Sequence, residues 1–287
     1  MALYAYRDVI ANERVCYRLI YRLRWPQGVR CPRCQSRQIW RMREKGRPDY
    51  RCRACRYHFS LLTGTALQAT RLPLTKWVLA VALFKIGISS HALARELEVS
   101  QRIAWRMLTL LRRTLSRSQL LRKLRGAVEV DDTYVGGRHK GKHGRGAAHK
   151  TIVLGLRTRS GRVRTLVVPC LKTQTIRAIL EHHIAQGARL YTDELRSYNR
   201  ARRWGYRHRR VKHSERFVRG GTHTQGIEGY WGHLKPTLVA RHRSVSPKHL
   251  SGYLVESDYK HNLAPQTDFI LEMLHFLLKP VQSIPFK

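Results

Sequence analysis

The sequence predicts an α/β protein in which a mixed sheet with flanking helices follows two small modules, a metal-binding ribbon and a group of three helices. Paired cysteines near the N-terminus predict the ribbon, and apolar residues at helical spacing predict the helices. Beyond Gly126 the pattern changes to alternating strands. The expected segments are 1–66 (short helix and ribbon), 70–118 (three helices), 125–245 (sheet domain) and 247–287 (helical extension).

The composition is strongly basic. The 287 residues include 56 Lys and Arg against 18 Asp and Glu, a formal net charge of +38. This excess predicts a nucleic-acid partner, with a ribosomal component or a cationic membrane-surface protein as alternatives. An apolar run long enough to span a membrane and a signal-peptide pattern are both missing. We therefore expect a cytoplasmic, nucleoid-associated protein with reduced thiols and no membrane partner.

Four of the six cysteines form two C-x-x-C pairs, Cys31 with Cys34 and Cys52 with Cys55, with 17 residues between the pairs. Each pair turns two sulfurs toward a common centre, so the spacing predicts one structural Zn²⁺ held by four thiolates. A disulfide pair or a redox-active C-x-x-C is the alternative. The segment between the pairs predicts a β-hairpin, and the helix ahead of the ribbon is expected to end at Trp25. The remaining cysteines, expected to be small buried hydrophobic residues, are Cys16 and Cys170.

Three helices are predicted over 70–118. Thr75 is the expected N-cap of the first helix and Gly87 its end, while Ser89 or Ser90 begins a short second helix and Ser100 a longer third one. A short helix, a tight turn and a longer helix form the helix-turn-helix layout, and a plain three-helix bundle is the alternative. The expected core residues of the third helix are Ile103, Met107, Leu110 and Leu111. The residues expected to contact DNA are Gln101, Arg102 and Arg106.

The order of elements beyond Gly126 is three strands, a helix, a fourth strand and further helices. This is the ribonuclease H-like (RNase H-like) arrangement, in which the first and fourth strands lie side by side. Asp131 follows the apolar run that forms the first strand, Asp193 ends the fourth strand, and Glu228 lies in a helix-like stretch. Acids at strand ends in so basic a chain predict divalent metal ligands. The alternative is that strand-end aspartates only cap turns.

Basic residues are expected to hold DNA phosphates near these acids. Lys235 lies seven residues after Glu228, so it is expected on the same helix face, about 10.5 Å further along. A glycine-rich loop after the first strand suits phosphate binding, with simple disorder as the alternative. The loop residues expected to contact DNA are Arg138, Lys140, Lys142 and Arg145.

The chain resembles the transposases of the insertion-sequence family IS1595, in the ISXO2-like group, over most of its length. The motifs that carry the resemblance are RWP at 24–26 before the first cysteine pair, VEVDDTYVGG at 128–137, YTDE at 191–194, and HTQGIEGYW at 223–231 followed by Lys235. The resemblance implies a DDE-type RNase H-like domain that catalyses strand transfer, preceded by a ribbon and a helix-turn-helix that recognise DNA. It also implies that Asp131, Asp193 and a residue of the last motif bind the catalytic metal.

Three residues depart from the family pattern. Asp132 stands where relatives usually have Glu, Gln225 where many have Asn, and Pro236, expected to kink its helix, where a basic residue is common. Because the family varies at its third catalytic position, either Glu228 or a neighbour is the third ligand. A catalytically inactive copy is therefore an alternative to an active transposase.

The expected reaction uses two Mg²⁺ (or Mn²⁺) ions about 3.5–4 Å apart, bridged by Asp131. They support cutting of DNA phosphodiesters and in-line attack of the 3′-hydroxyl ends on target DNA. The expected partners are transposon ends and target DNA, with a homo-oligomer assembled on them. The rival hypotheses are a non-catalytic regulator with a zinc ribbon and a helix-turn-helix, and a nuclease without strand transfer.

Overall fold

The computed structural model describes residues 3–42, 49–119, 123–136, 150–211, 224–243 and 245–280. The chain forms two compact units, Met1–Leu115 with Ala264–Lys287, and Ser116–Leu263. Among the helices within the described ranges, none is long and apolar enough to cross a membrane.

The first unit contains a three-stranded ribbon and a group of helices. Its elements are a 3₁₀ turn (Leu3–Tyr6), α1 (Arg7–Ala11), α2 (Glu13–Arg24), β1 (Ile39–Met42), β2 (Asp49–Cys52), β3 (His58–Ser60), α3 (Leu74–Ile86), α4 (Ser90–Leu97) and the greater part of α5 (Gln101–Gln119). The strands are antiparallel in the order β1-β2-β3. The predicted hairpin is confirmed, and β3 is an additional strand.

One face of the ribbon sheet packs on the end of α2. Tyr50 and Phe59 are buried, and their ring centroids lie 5.3 and 6.3 Å from that of Trp25. Trp25 is the C-cap of α2, as predicted. The short helix therefore supplies apolar surface that a ribbon of this size lacks.

The start of α3 differs from the prediction. The helix begins at Leu74 after Pro73, so Thr75 is not its cap. The carboxylate of Glu13, on α2, instead accepts from the backbone N–H groups of Leu74 and Thr75 at 3.1 and 3.3 Å. A side chain from another helix satisfies the free amides of the first turn, a contact that local spacing does not reveal. Gly87 ends the helix with φ 84°, as predicted.

The helices α4 and α5 begin where predicted, but the buried side of α5 is rotated. Ser89 caps α4 by accepting from the N–H of Ala92, and the side chain of Ser100 accepts from the N–H of Ile103. Ile103 is exposed and Leu110 half-buried, so the predicted core residues are wrong at these two positions. The buried residues of α5 are Ala104, Met107, Leu108, Leu111, Arg112, Thr114 and Leu115.

The second unit is built on a five-stranded mixed sheet. Its elements are β4 (Ala127–Val135), β5 (Thr151–Thr158), β6 (Val163–Val168), α6 (Thr173–His183), β7 (Arg189–Thr192), β8 (Arg207–Arg210), α7 (Gln225–His242) and α8 (Pro247–Asn262). The order across the sheet is β6-β5-β4-β7-β8, with β4 and β7 parallel neighbours. This RNase H-like topology is as predicted, apart from the additional edge strand β8.

Helices cover both faces of this sheet. Val128 and Val130 face α6 and pack with its buried residues Ile176 and Leu180. On the other face, Val153 packs with buried residues of α7 and α8. Those residues are Ile227, Tyr230, Trp231, Leu234, Leu238, Leu250 and Leu254. Alternate strand residues therefore supply two separate apolar cores, one on each side of the sheet.

The C-terminal helices divide between the two units. Whereas α8 packs against β6, the last helix, α9 (Phe269–Leu278), packs against α2 and α3 of the first unit. Asp268 caps α9 and also accepts a 2.6 Å hydrogen bond from the Tyr6 hydroxyl. The segment expected as one extension over 247–287 is thus shared between the sheet domain and the N-terminal unit.

The two cysteines outside the C-x-x-C pairs differ from each other. Cys16 is fully buried, as predicted. Cys170 is only half-buried, and its Sγ lies 3.2 Å from Oγ1 of Thr175, so it is not the buried hydrophobic residue that we expected.

A buried carboxylate joins three elements of the second unit. Asp258, on α8, accepts from the N–H of Thr165 at 2.6 Å and from the Tyr230 hydroxyl at 2.7 Å. Burial raises the pKa of Asp258 to about 6 even though these bonds and Arg164 oppose the change. The carboxylate therefore links β6, α7 and α8, at the cost of ionising inside the protein at neutral pH.

The raised pKa of Asp258 predicts a pH-dependent stability. The folded state binds this proton more tightly than the unfolded chain, so the stabilisation is present below about pH 4 and is lost as the pH rises through about 6. The free energy of unfolding of the wild-type protein, minus that of Asp258→Asn, should therefore decrease over this window. The total decrease should be about 1.4 kcal/mol for each unit that separates the folded and unfolded pKa values. Urea titrations of both proteins from pH 4 to 7 measure it, and a constant difference would contradict the prediction.

Candidate functional site

The four paired cysteines meet at one point of the ribbon. Sγ of Cys31 lies 3.6 Å from that of Cys55, and Sγ of Cys34 lies 3.5 Å from that of Cys52. A disulfide requires about 2.05 Å, whereas the edges of a tetrahedron with Zn–S bonds of about 2.3 Å are about 3.8 Å long. The donor set therefore fits Zn²⁺, and all four thiols are free rather than joined in disulfides.

The backbone prepares one of these thiols for metal binding. Hydrogen bonding from the backbone of Cys55 is the main cause that lowers the pKa of Cys52 to about 6. A thiol that is already ionised near neutral pH binds a metal ion without first losing a proton.

Strand register brings the two predicted aspartates together. Because β4 and β7 are parallel and Val130 is paired with Thr192, the next residues, Asp131 and Asp193, come to lie side by side. One carboxylate oxygen from each of Asp131, Asp132 and Asp193 lies within 4.8 Å of the others. The sheet therefore places three acids in one cluster just beyond the end of β7.

This cluster has the chemistry of a divalent metal site. Ligand oxygens around one octahedral Mg²⁺ are about 3–4 Å apart, so small side-chain rotations would bring the three carboxylates to a metal ion. Burial, with contributions from Asp132 and Asp193, raises the pKa of Asp131 to about 6 despite the opposing hydrogen bond from Trp231. Mutual repulsion among carboxylates is relieved when a cation binds. Asp193 also accepts from the N–H of Leu195 at 3.1 Å, so it caps a turn as well.

Two hydrogen bonds attach α7 to the strand that carries Asp131. The N–H of Ile227 donates to Oε2 of Glu129 at 2.8 Å, and Nε1 of Trp231 donates to Oδ2 of Asp131 at 2.9 Å. Glu129 is fully buried and lies 3.3 Å from Nε of Arg159. Residues two apart on a strand and four apart on a helix recur at similar distances, about 6–7 Å, so both contacts form together.

A glycine allows this close approach. Gly155 is the partner of Asp131 on β5, and a Cβ there would lie 2.6 Å from Cη2 of Trp231 and 2.8 Å from Cδ1 of Ile227. Real Cβ atoms do not make such contacts, so only glycine lets the indole lie on the sheet. The packing of Trp231 beside Asp131 therefore requires glycine at position 155.

Glu228 and Lys235 lie on α7, as predicted, but Glu228 is not part of the acid cluster within 4.8 Å. Oε1 of Glu228 accepts from the Thr224 hydroxyl at 2.7 Å. Lys235 is exposed; partial desolvation, with Lys150, lowers the pKa of its ammonium, while the charge of Asp131 acts in the opposite direction. The helix continues through Pro236 to His242.

Only one of the two groups of residues expected to contact DNA lies within the described ranges. Gln101, Arg102 and Arg106 are exposed near the start of α5, and the amide of Gln101 donates to the hydroxyl of Ser90 at 3.0 Å. The predicted loop residues fall outside the described ranges; they are Arg138, Lys140, Lys142 and Arg145.

Sequence reasoning missed four residues of the site. Asp132 directly follows Asp131 in the sequence, and this adjacency is the signal that it could belong to the same acid cluster. Glu129, Gly155 and Trp231 gave no local signal for contact with one another, because the contacts depend on strand pairing and helix docking.

Comparison with protein families assigns two segments of the chain. Residues 123–262 match the ISXO2-like transposase domain of the IS1595 family, and residues 11–58 match the transposase zinc-ribbon domain of the same family. The two matches contain the acid cluster and the four cysteines respectively.

Individual relatives agree with this result. An uncharacterized protein in transposable element ISH50 of Halobacterium salinarum is 28% identical over 263 residues, covering 85% of this chain and 88% of the relative. An uncharacterized transposase-like protein of Haemophilus influenzae is 29% identical over 101 residues, covering 35% of this chain and 81% of the relative.

Solved structures with a weak likeness include the Mos1 strand transfer complex and the catalytic core of BIV integrase. The first has a TM-score of 0.32 at 16% identity and covers 70% of this chain and 73% of its own. The second has a TM-score of 0.31 at 15% identity and covers 46% of this chain and 82% of its own.

The family matches, the acid cluster just beyond the end of β7 and the four-cysteine ribbon lead to one conclusion. The chain belongs to the IS1595 family and is a DDE-type, metal-dependent transposase with an N-terminal zinc ribbon.

Proposed function

We propose that this transposase binds the ends of its insertion sequence, cuts DNA phosphodiesters and joins the resulting 3′-hydroxyl ends to target DNA. The observation that carries the proposal is the convergence of the Asp131, Asp132 and Asp193 carboxylates. Two Mg²⁺ or Mn²⁺ ions at this cluster would supply Lewis-acid stabilisation of phosphate charge and lower the pKa of the attacking hydroxyl or water. The charge of three neighbouring carboxylates is what makes two adjacent cations tolerable there.

The side chains around the cluster have separate roles in this proposal. Trp231 holds Asp131 in one orientation through its indole N–H, and Glu129 fixes the first turn of α7. Glu228, in that first turn, is the candidate ligand that α7 would add to the three aspartates. It would reach the cations after giving up its bond from Thr224. Lys235, further along α7, would bind a DNA phosphate beside the cluster.

Joined products are the direct test. Purified protein, Mg²⁺ and labelled DNA carrying the ends of the insertion sequence should yield both cut ends and products joined to a target plasmid. Cleavage without joining would favour a nuclease, and DNA binding without cleavage would favour a regulator or an inactive copy. A reaction with chelator measures the metal dependence.

One Zn²⁺ per chain is proposed for the ribbon, as a structural ion. Four thiolates saturate the metal, and the ribbon has little other core. Cys34→Ser should reduce zinc content from about one per chain to nearly none and unfold the ribbon, as seen by elemental analysis and limited proteolysis. Cys170→Ser, outside the ribbon, should keep the full zinc content. A Cys34→Ser protein with full zinc would contradict the assignment.

The start of α5 is proposed as a sequence-reading element. Arg102 is exposed there, and a bidentate arginine–guanine contact is worth about 1–3 kcal/mol. Arg102→Ala should therefore reduce the preference for transposon ends over random DNA about 5- to 150-fold. Arg113→Ala, also exposed but later on α5, should weaken binding to both DNAs equally. An equal loss for Arg102→Ala as well would make it a phosphate contact.

The Lys and Arg side chains of this basic protein are also proposed to support its assembly on DNA. At a formal net charge of +38, copies repel one another in free solution, and DNA neutralises that repulsion. We expect a homo-oligomer to form when two transposon ends are bound.

A further inference from the structure

The outer face of the ribbon sheet carries an exposed aromatic ring among cations. Cross-strand pairing sets Trp40, Arg51 and His58 in one row across β1, β2 and β3. The opposite face carries the buried Tyr50 and Phe59 that pack on α2. The row therefore faces away from the core of the ribbon.

Trp40 exposes 55% of its surface, although burial of a tryptophan would stabilise the fold. An open pocket of about 230 Å³ lies beside it. The residues lining the pocket are Trp40, Arg51, Cys52, Arg53 and Arg56. Typical cofactor pockets measure about 300–1,000 Å³, so this one suits a single planar group rather than a whole cofactor.

We propose that this face of the ribbon binds unpaired DNA, with a base stacked on Trp40 and the flanking phosphates on Arg51, Arg53 and Arg56. An aromatic ring beside cations is the arrangement by which proteins bind single strands, because every unpaired base offers a π-face. Duplex DNA hides those faces and offers base edges, which arginine and amide side chains read better than tryptophan.

The biological relevance of this site rests on the proposed function, because cutting of DNA strands at transposon ends exposes unpaired nucleotides. The binding of a single strand at this face does not depend on the proposed function. A protein with an inactive acid cluster would still bind a single strand here, so the two proposals can fail separately.

Binding of one oligonucleotide in two forms tests the site. The full-length, zinc-loaded protein is titrated with a labelled strand of about 12 nucleotides and with its blunt duplex, over a series of salt concentrations. Trp40→Ala should weaken single-strand binding about 5- to 150-fold at every salt concentration and change duplex binding less than about two-fold. Trp40→Phe, which keeps a ring, should recover part of the loss.

Charge and stacking can be separated in the same titrations. Removal of a phosphate contact by Arg53→Ala or Arg56→Ala should lower the slope of log K against log salt by about 0.7 for the single strand. Trp40→Ala should leave that slope unchanged. Tyr4→Ala, which removes another exposed aromatic ring of the same unit, is the matched control and should change neither affinity nor slope.

The outcomes that overturn the proposal are an unchanged single-strand affinity for Trp40→Ala, or an equal loss with single strand and duplex. Zinc content of each variant confirms that the ribbon has kept its metal. Photo-crosslinking of a bromouracil-containing strand gives an independent measurement, since the crosslinked peptide of the wild-type protein should contain Trp40. A crosslink confined to other peptides would also overturn the proposal.

Discussion

Asp131→Asn and Asp193→Asn proteins should bind transposon-end DNA as well as the wild type, or more tightly, and should fail to cut or join it. Asparagine keeps the shape of each side chain and can still accept from Trp231 or Leu195. It removes the negative charge that binds the cations. A rate loss of roughly three orders of magnitude corresponds to about 4 kcal/mol of lost transition-state stabilisation. Binding should persist because one acid fewer repels phosphate less.

Glu194 supplies the matched control for this pair of substitutions. It is exposed and directly follows Asp193, so Glu194→Gln makes the same change of charge one residue away. We expect this protein to retain a rate close to that of the wild type in gel assays of cleavage and joining. Asp193→Asn protein that cuts and joins at the wild-type rate would rule out the proposed mechanism.

Trp231→Phe should keep the fold and raise the divalent metal concentration needed for half-maximal cleavage by about 10- to 100-fold, the usual cost of losing a partner of a metal ligand. Phenylalanine keeps an aromatic ring against Gly155, but it has no N–H to donate to Asp131. The carboxylate then loses the bond that fixes its orientation. Cleavage rates over a Mg²⁺ series measure the effect, and saturating metal should restore most of the rate.

Trp204 is the control for loss of packing. It is buried on the other side of the sheet, in the apolar core that includes the buried residues of α6, so Trp204→Phe removes a similar apolar area without touching an acid. Its half-maximal metal concentration should match that of the wild type. If both substitutions shifted the metal dependence equally, the indole N–H of Trp231 would have no special role.

The sequence predicts those parts of the molecule that depend on local spacing. The cysteine pairs, the helices ended by Gly87 and begun by Ser89, and the strand that leads to Asp131 all have the bounds expected to within a few residues. Even the adjacency of Asp131 and Asp193 follows from the order of strands and a helix, because strand order restricts which edges meet.

The rest depends on contacts between distant residues. The strand β8 reads Arg-His-Arg-Arg, without apolar alternation, and it forms a strand because parallel pairing with β7 supplies its hydrogen bonds. Glu13 caps a helix about sixty residues away along the chain, which spacing around Thr75 does not show. In the sequence Gly155 resembles any strand glycine, and only the packing of Trp231 against it shows why a glycine is required there. Tertiary packing decided each of these cases.

The return of α9 to the first unit has a consequence for shortened chains. A premature stop after Leu263 would leave the acid cluster and the four paired cysteines in place, so the coding region would look intact at each motif. It would nevertheless uncover the apolar sides of α2 and α3, against which Phe269, Met273 and Leu277 are buried. Damage at the far end of the gene would thus appear as misfolding of the unit encoded at its beginning.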